Sequence, residues 1–306
     1  MVENHKRSNI LFIMADQFRF DYMGCMGSDF AKTPNLDKLA KRGVLFRNCF
    51  TNAPVCAPAR IGLATGLQPV RLGALDNSVY LPLDKETYYK QLRDNGYRVG
   101  CVGKLDLAKP SEYNGRYGDR PCVYSWGFTH PEECEGKMHA GRINYPHGPY
   151  TYYLHEKGML DTFCNDYAKR SKTGWVADAL HDSVLKVEDF EDSYIGMRSA
   201  EWIENIPDDY PWHLFVSFVG PHSPFDPPTE YASRHRNTDV PDPVISSKEG
   251  KPKYLENYRL DMKLEEVITA RRQYCASIEL IDDQIGRIID TLEERDMMGN
   301  TYIIFT

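Results

Sequence analysis

Apolar residues run without a polar break through Ile10-Leu11-Phe12-Ile13-Met14 and stop at Ala15-Asp16-Gln17. An unbroken run of this length marks a strand buried on both faces, as in a parallel sheet, and ligands gather at the carboxyl ends of such strands. Tyr97 to Val102 and Trp212 to Val219 read the same way, and Thr301 to Thr306 begins another strand. Between the strands the period changes. Thr33-Pro34-Asn35 offers an N-cap and a proline at the first helical position, Leu36, Leu39 and Ala40 share one face, and Gly43 is the expected C-cap. A helix is expected over roughly 85–95, ending at Gly96, and another over 194–205. The longest follows the stripe Val267, Ala270, Tyr274, Ile278, Ile281, Ile285, Ile288 and Leu292, at steps of three and four. Val44 to Phe50 is expected as a short strand. This alternation predicts an α/β fold with a mostly parallel central sheet flanked by helices. Residues from about 108 to 190 are rich in Tyr, Gly, Pro and charge with little periodicity, and are expected as an irregular insertion near a substrate entrance.

Composition narrows the partners. Hydrophobic content of 42% and charged content of 26% fit a globular chain, and 37 basic against 44 acidic residues leave a net charge of −7. No dense basic run suggests nucleic acid, and no apolar run approaches the ~20 residues of a membrane span. The first residues pass straight into the first strand, so no secretory leader is expected. The chain is expected in the cytoplasm unless a leader has been removed. Eight cysteines lie without a repeating spacing and without C-x-x-C, so reduced, mostly buried thiols are expected.

Cys56 stands apart. In Cys56-Ala57-Pro58-Ala59-Arg60 the proline presets φ for a first helical turn, so Cys56 sits at a helix mouth where free N–H groups and the dipole favour an anion. Arg60, four residues on, shares its face and can reach the same ligand. From the residues alone Cys56 is an inert thiol, a lowered-pKa thiolate nucleophile, or something modified. Asp16 and Gln17 are hard oxygen donors or a strand-end turn. Lys104 is a solvated turn lysine or a counter-charge for an anion. His222, held between Pro221 and Pro224, is structural or a proton donor, and His213 inside its strand is a core residue. Asp282 and Asp283 read as a solvated or capping face. Tyr145, Tyr150, Tyr152 and Tyr153 pack a loop or stack on a sugar.

Cys56-Ala57-Pro58-Ala59-Arg60, with the small-residue helix and Thr65-Gly66-Leu67-Gln68-Pro69 after it, resembles the signature of the type I sulfatases. The Asp16-Gln17 pair resembles choline sulfatases and the related phosphonate monoester hydrolases, and the Cys-Ala-Pro-Ala-Arg wording and Asp76-Asn77 also resemble choline sulfatases. The resemblance implies an alkaline-phosphatase-like fold. It implies a formylglycine made from Cys56 by a maturation enzyme, and Ca²⁺ (or Mg²⁺ or Mn²⁺) on Asp16, Gln17 and position 56. It implies catalytic roles for Cys56, Arg60, Lys104 and His222 on a small-molecule or carbohydrate sulfate ester. A phosphonate or phosphate ester hydrolase is the alternative reading, and a catalytically inactive sulfatase-like protein is a third.

Two departures accompany it. Asp106 stands where the G-K-x-H segment of the family has histidine, and a carboxylate there repels sulfate unless it faces a cation. The resemblance also places further metal ligands, in an S-D-H-G segment, and the C-terminal part of the family fold beyond Thr306. Residues 1–306 are thus expected to be the N-terminal catalytic part, with weak metal binding and little turnover if they act alone.

Overall fold

The computed structural model describes residues 7–111, 113–172, 180–244, 249–253 and 262–306. Among these, five strands form one sheet: β1 (Asn9–Ala15), β2 (Arg98–Gly103), β3 (His130–Glu133), β4 (Trp212–Phe218) and β5 (Thr301–Phe305). Their order is β3-β2-β4-β1-β5, and every neighbouring pair is parallel. The unbroken apolar runs follow from this, because the central strands are covered on both sides. Leu11 and Ile13 of β1 pack into one layer with Leu214, Val216 and Phe218 of β4. Helices Glu191–Asn205 and Leu264–Glu294 close that layer with Ile195, Ile203, Ile281, Ile285, Ile288 and Leu292. Val99, Cys101 and Phe215 face the other layer, where helices Cys56–Thr65 and Tyr88–Asp94 supply Ile61, Ala64 and Tyr89. Each fully buried Ile or Leu is worth about 1.5–3 kcal/mol over leaving it in water.

Expected helices form close to their predicted limits, at Pro34–Arg42, Tyr88–Asp94, Glu191–Asn205 and Leu264–Glu294. Three expectations are corrected. Val44 to Phe50 is not a strand: Val44, Phe46 and Phe50 are exposed, and none of the five strands takes the backbone hydrogen bonds that an extended run needs. The 108–190 segment is more regular than its composition suggests, carrying β3 and helices Pro121–Ser125, Lys137–Arg142, Pro149–Glu156 and Leu160–Lys172. Short helices of this kind are fixed by tertiary packing, which periodicity over a few residues does not report. Thr33 precedes the first helix without capping it by its side chain. Its place is taken by Asp282, whose carboxylate accepts from Asn35 N and Leu36 N at 2.9 Å each. Asp282 is therefore a buried cap, whereas half-buried Asp283 accepts from the Tyr231 hydroxyl.

All eight cysteines are free; Cys101, Cys134, Cys164 and Cys275 are buried and Cys49 is exposed. Among the described residues no helix is long and apolar enough to cross a membrane.

Candidate active site

The register of the sheet brings three strand ends to one level. Gly103 lies opposite Ser217 and Ala15 opposite Phe218. Asp16 N donates to Phe218 O at 3.2 Å, and Lys104 N donates to Ser217 O at 3.1 Å. Gly103 has φ of 104°, and a Cβ there would stand 2.1 Å from the Ser217 carbonyl oxygen. Only glycine lets β2 leave the sheet this close to β4.

Against these ends sits the helix Cys56–Thr65. Its N-cap residue is Val55, which has no side-chain acceptor to give. Asn77 Oδ1 accepts from Ala57 N at 3.1 Å instead, satisfying one of the free donors of the first turn. The Cys56 thiol points at Asp16, with Sγ 3.7 Å from Oδ1. One turn on, Arg60 Nη1 donates to the Lys104 carbonyl and to Ser217 Oγ at 2.8 Å, while Nη2 lies 3.8 Å from Asp16 Oδ2. The Lys104 ammonium bonds the same Asp16 oxygen. Three residues from two separate segments, Cys56 and Arg60 of the helix and Lys104 after β2, thus meet around the Asp16 carboxylate.

Burial opposes ionisation of Asp16, but Lys104, Arg60 and His222 outweigh it and hold the carboxyl far below its ordinary value. Lys104 is likewise disfavoured by burial, yet Asp106 and Asp16 beside it keep the ammonium protonated well above the usual range. The carboxylate at 106 does face cations: Lys104 Nζ lies 3.1 Å from Oδ2 and Lys109 bonds the same oxygen. Asp106 is held low by those two lysines against the cost of its burial.

His222 follows β4, with Nδ1 2.6 Å from Ser223 O. A carbonyl only accepts, so Nδ1 carries the proton and Nε2 is the ring atom free for an ester oxygen. Burial pulls the imidazole below its usual value, with Asp16 opposing. His213, fully buried, is held neutral at about 3 by the same effect and has no part in the site. Tyr150 and Tyr153 turn inward to Asp189, so they pack the fold.

Gln17 adjoins Asp16 but its side chain is exposed, on a left-handed backbone with φ of 64°, and its carbonyl accepts from the Tyr274 hydroxyl at 2.6 Å. Among the described residues no three His, Cys, Asp or Glu side chains gather as metal ligands. A hard divalent cation takes six or more oxygens, and Asp16, the one buried donor of the expected set, is engaged by Lys104. The donors on this chain alone do not fit such an ion.

Sequence reasoning missed several members of the constellation. Ser217 is a strand residue whose role appears only with the register of β4. Lys137 is a buried lysine that donates to the carbonyls of His222 and Pro224 and pairs with Asp226 at 2.7 Å, bracing the His222 loop. It lies in the charge-rich 108–190 segment, where nothing in the sequence sets one lysine apart from the other charges.

The Sulfatase family model matches residues 8–306. The chain is 27% identical over 325 residues to an arylsulfatase of Clostridium perfringens, covering 98% of this chain and 62% of that protein. It is 27% identical over 318 residues to a choline-sulfatase of Rhizobium meliloti, covering 98% and 56%. A phosphonate monoester hydrolase of Agrobacterium radiobacter superposes with a TM-score of 0.74 at 24% identity, covering 98% and 62%, a likeness that concerns the fold. The chain therefore spans 56–62% of the length of these relatives, and its alkaline-phosphatase-like architecture is theirs. On that match, together with the cysteine, arginine and lysine gathered on Asp16, the chain belongs to the sulfatase family.

Proposed function

We propose that this chain carries the nucleophile side of a sulfuric ester hydrolase acting on a small-molecule or carbohydrate sulfate monoester, with Cys56 matured to formylglycine. One observation carries the reading: Cys56 faces Asp16 at 3.7 Å from a helix mouth, with Arg60 and Lys104 fixed on the other oxygen of the same carboxylate. A formylglycine hydrate at position 56 supplies one hydroxyl to attack sulfur and a second from which the aldehyde re-forms as sulfate leaves. The remaining work belongs to the chain's own groups. Arg60, pinned by Ser217 and the Lys104 carbonyl, presents its remaining N–H groups in a fixed direction, so no reorganisation is needed as charge builds on the sulfuryl oxygens. Lys104 stays charged because two carboxylates hold it. His222, its Nδ1–H committed to Ser223, donates to the departing oxygen through Nε2 in its imidazolium form, which Asp16 favours and burial opposes.

The test couples mass to turnover. Peptide mass spectrometry of protein that hydrolyses an aryl sulfate is expected to show an aldehyde in place of the thiol at position 56, and Cys56→Ala is expected to abolish hydrolysis. Unmodified Cys56 in active protein would sink the reading. The alternative, a phosphonate or phosphate ester hydrolase with the same nucleophile, is favoured by the shared fold of the Agrobacterium enzyme. Faster turnover of an aryl phosphodiester or phosphonate than of the matching aryl sulfate would establish it.

A further inference from the structure

The loop after β2 carries an uncommon amount of buried charge. Lys104 is 4% exposed and Asp106 7%, and Lys109 reaches back to them from a half-buried position. Asp106 holds a left-handed backbone with φ of 55°, a conformation more open to Asp and Asn than to other side chains. That turn aims the carboxylate at both ammonium groups, which share its Oδ2. Adding Arg60 and Asp16, the site is a row of alternating sign: Arg60, Asp16, Lys104, Asp106, Lys109. Lys109 turns toward a polar hollow of about 10 Å³ that it shares with Ser111, Asn114 and Arg120.

Between variants of one site, the change in the ratio of its affinities for a dianion and a monoanion of the same shape tracks the potential felt by the extra unit of charge, because the ligands' desolvation costs cancel. Buried charges set that potential, because water does not screen them. We propose that Asp106 is a specificity-determining residue: bonded to Lys104, it lowers the positive potential of the anion site so that esters with one negative charge are taken over doubly charged phosphate monoesters, with Lys109 as its counterweight. The inference rests on the functional reading above only in taking the Arg60–Lys104 region as the place where the ester anion binds.

The probes are phenyl sulfate and phenyl phosphate, alike in shape. At pH 7 the sulfate ester carries one charge and the phosphate ester close to two, its second pKa being about 6. Calorimetric titration of Cys56→Ala protein gives both affinities without turnover, and each further substitution is made in that background. Asp106→Asn, which tolerates the same backbone, is expected to shift the phosphate-to-sulfate affinity ratio upward on the order of tenfold. Lys109→Met is expected to shift it downward, and the double variant to fall between the two. A structural role would weaken both ligands in parallel and leave the ratio alone. Ratios that stay fixed, or that move in the same direction in both single variants, overturn the proposal, as does failure of both esters to bind. Opposite shifts support it even if the Cys56 protein never hydrolyses phenyl sulfate, an outcome that would remove the catalytic reading and leave this one standing.

Discussion

Ser217 Oγ accepts from Arg60 at 2.8 Å, and this contact sets where the guanidinium stands over Asp16. Ser217→Ala keeps the second anchor, the Lys104 carbonyl, so the arginine is loosened without being lost. Its loss is expected to lower kcat/KM for an aryl sulfate by about ten- to a hundredfold, the roughly 1.5–3 kcal/mol of one hydrogen bond to a charged group. Arg60→Lys removes the planar fork altogether, and a fall of about 10²–10³ in kcat is expected from the loss of a preorganised donor. Steady-state kinetics on both variants check the order; equal losses would mean that Ser217 has another task. Cys56 and Arg60 were legible in the sequence because helical spacing puts residues four apart on one face. Ser217 was not, and Asn77 was noted only as part of a resemblance and not as a cap, since each acts on a residue distant in the chain whose position depends on sheet register and loop path. Asp106 was legible as a departure, and only the structure supplied the two lysines that make it tolerable.

The helix Pro34–Arg42 shows how an element borrows what its own sequence lacks. Its first free N–H groups reach Asp282, a residue of helix Leu264–Glu294 that is fully buried. Burial pushes the Asp282 carboxyl up to about 6, with the Asn35 and Leu36 amides opposing. A carboxyl raised on folding binds its proton more tightly in the native state. Its contribution to stability is therefore full below the unfolded value of about 3.9 and is lost as pH climbs through about 6. Asp282→Asn keeps an acceptor oxygen but does not titrate. The stability of the parent relative to this variant is expected to fall by about 2–3 kcal/mol between pH 4 and pH 7, read from urea midpoints at each pH. A flat difference would mean that Asp282 is not desolvated. Thr33 looked like the cap from sequence because cap preferences are local, while this cap comes from the far end of the chain. The same limit explains Val44 to Phe50, where local β-propensity had no partner strand to act on.

At the scale of the molecule, the parallel layering was readable from unbroken apolar runs, but the order β3-β2-β4-β1-β5 was not, because pairing between distant strands leaves no local trace. That order is what builds the site. Asp16 leaves β1, Lys104 leaves β2 and His222 follows β4, and these three strands are neighbours at the centre of the sheet. The anion site is complete only when β1, β2 and β4 are all in register, so binding there is linked to the folding of the whole sheet. A ligand that binds only the native state stabilises it by about 2.7 kcal/mol at a hundredfold excess over its Kd. For a chain of this size that corresponds to a rise of several degrees in Tm. Inorganic sulfate also stabilises proteins by exclusion from their surface, so the informative quantity is the difference from Arg60→Ala, which keeps the surface and loses the fork. The parent is expected to show one unfolding transition that sulfate moves as a unit, and Arg60→Ala only the smaller general shift. Equal shifts in the two proteins would show that sulfate does not use Arg60. Two transitions with only one responding would show that the strands bearing Asp16, Lys104 and His222 do not fold as a single unit, and the link between sheet order and site would fail.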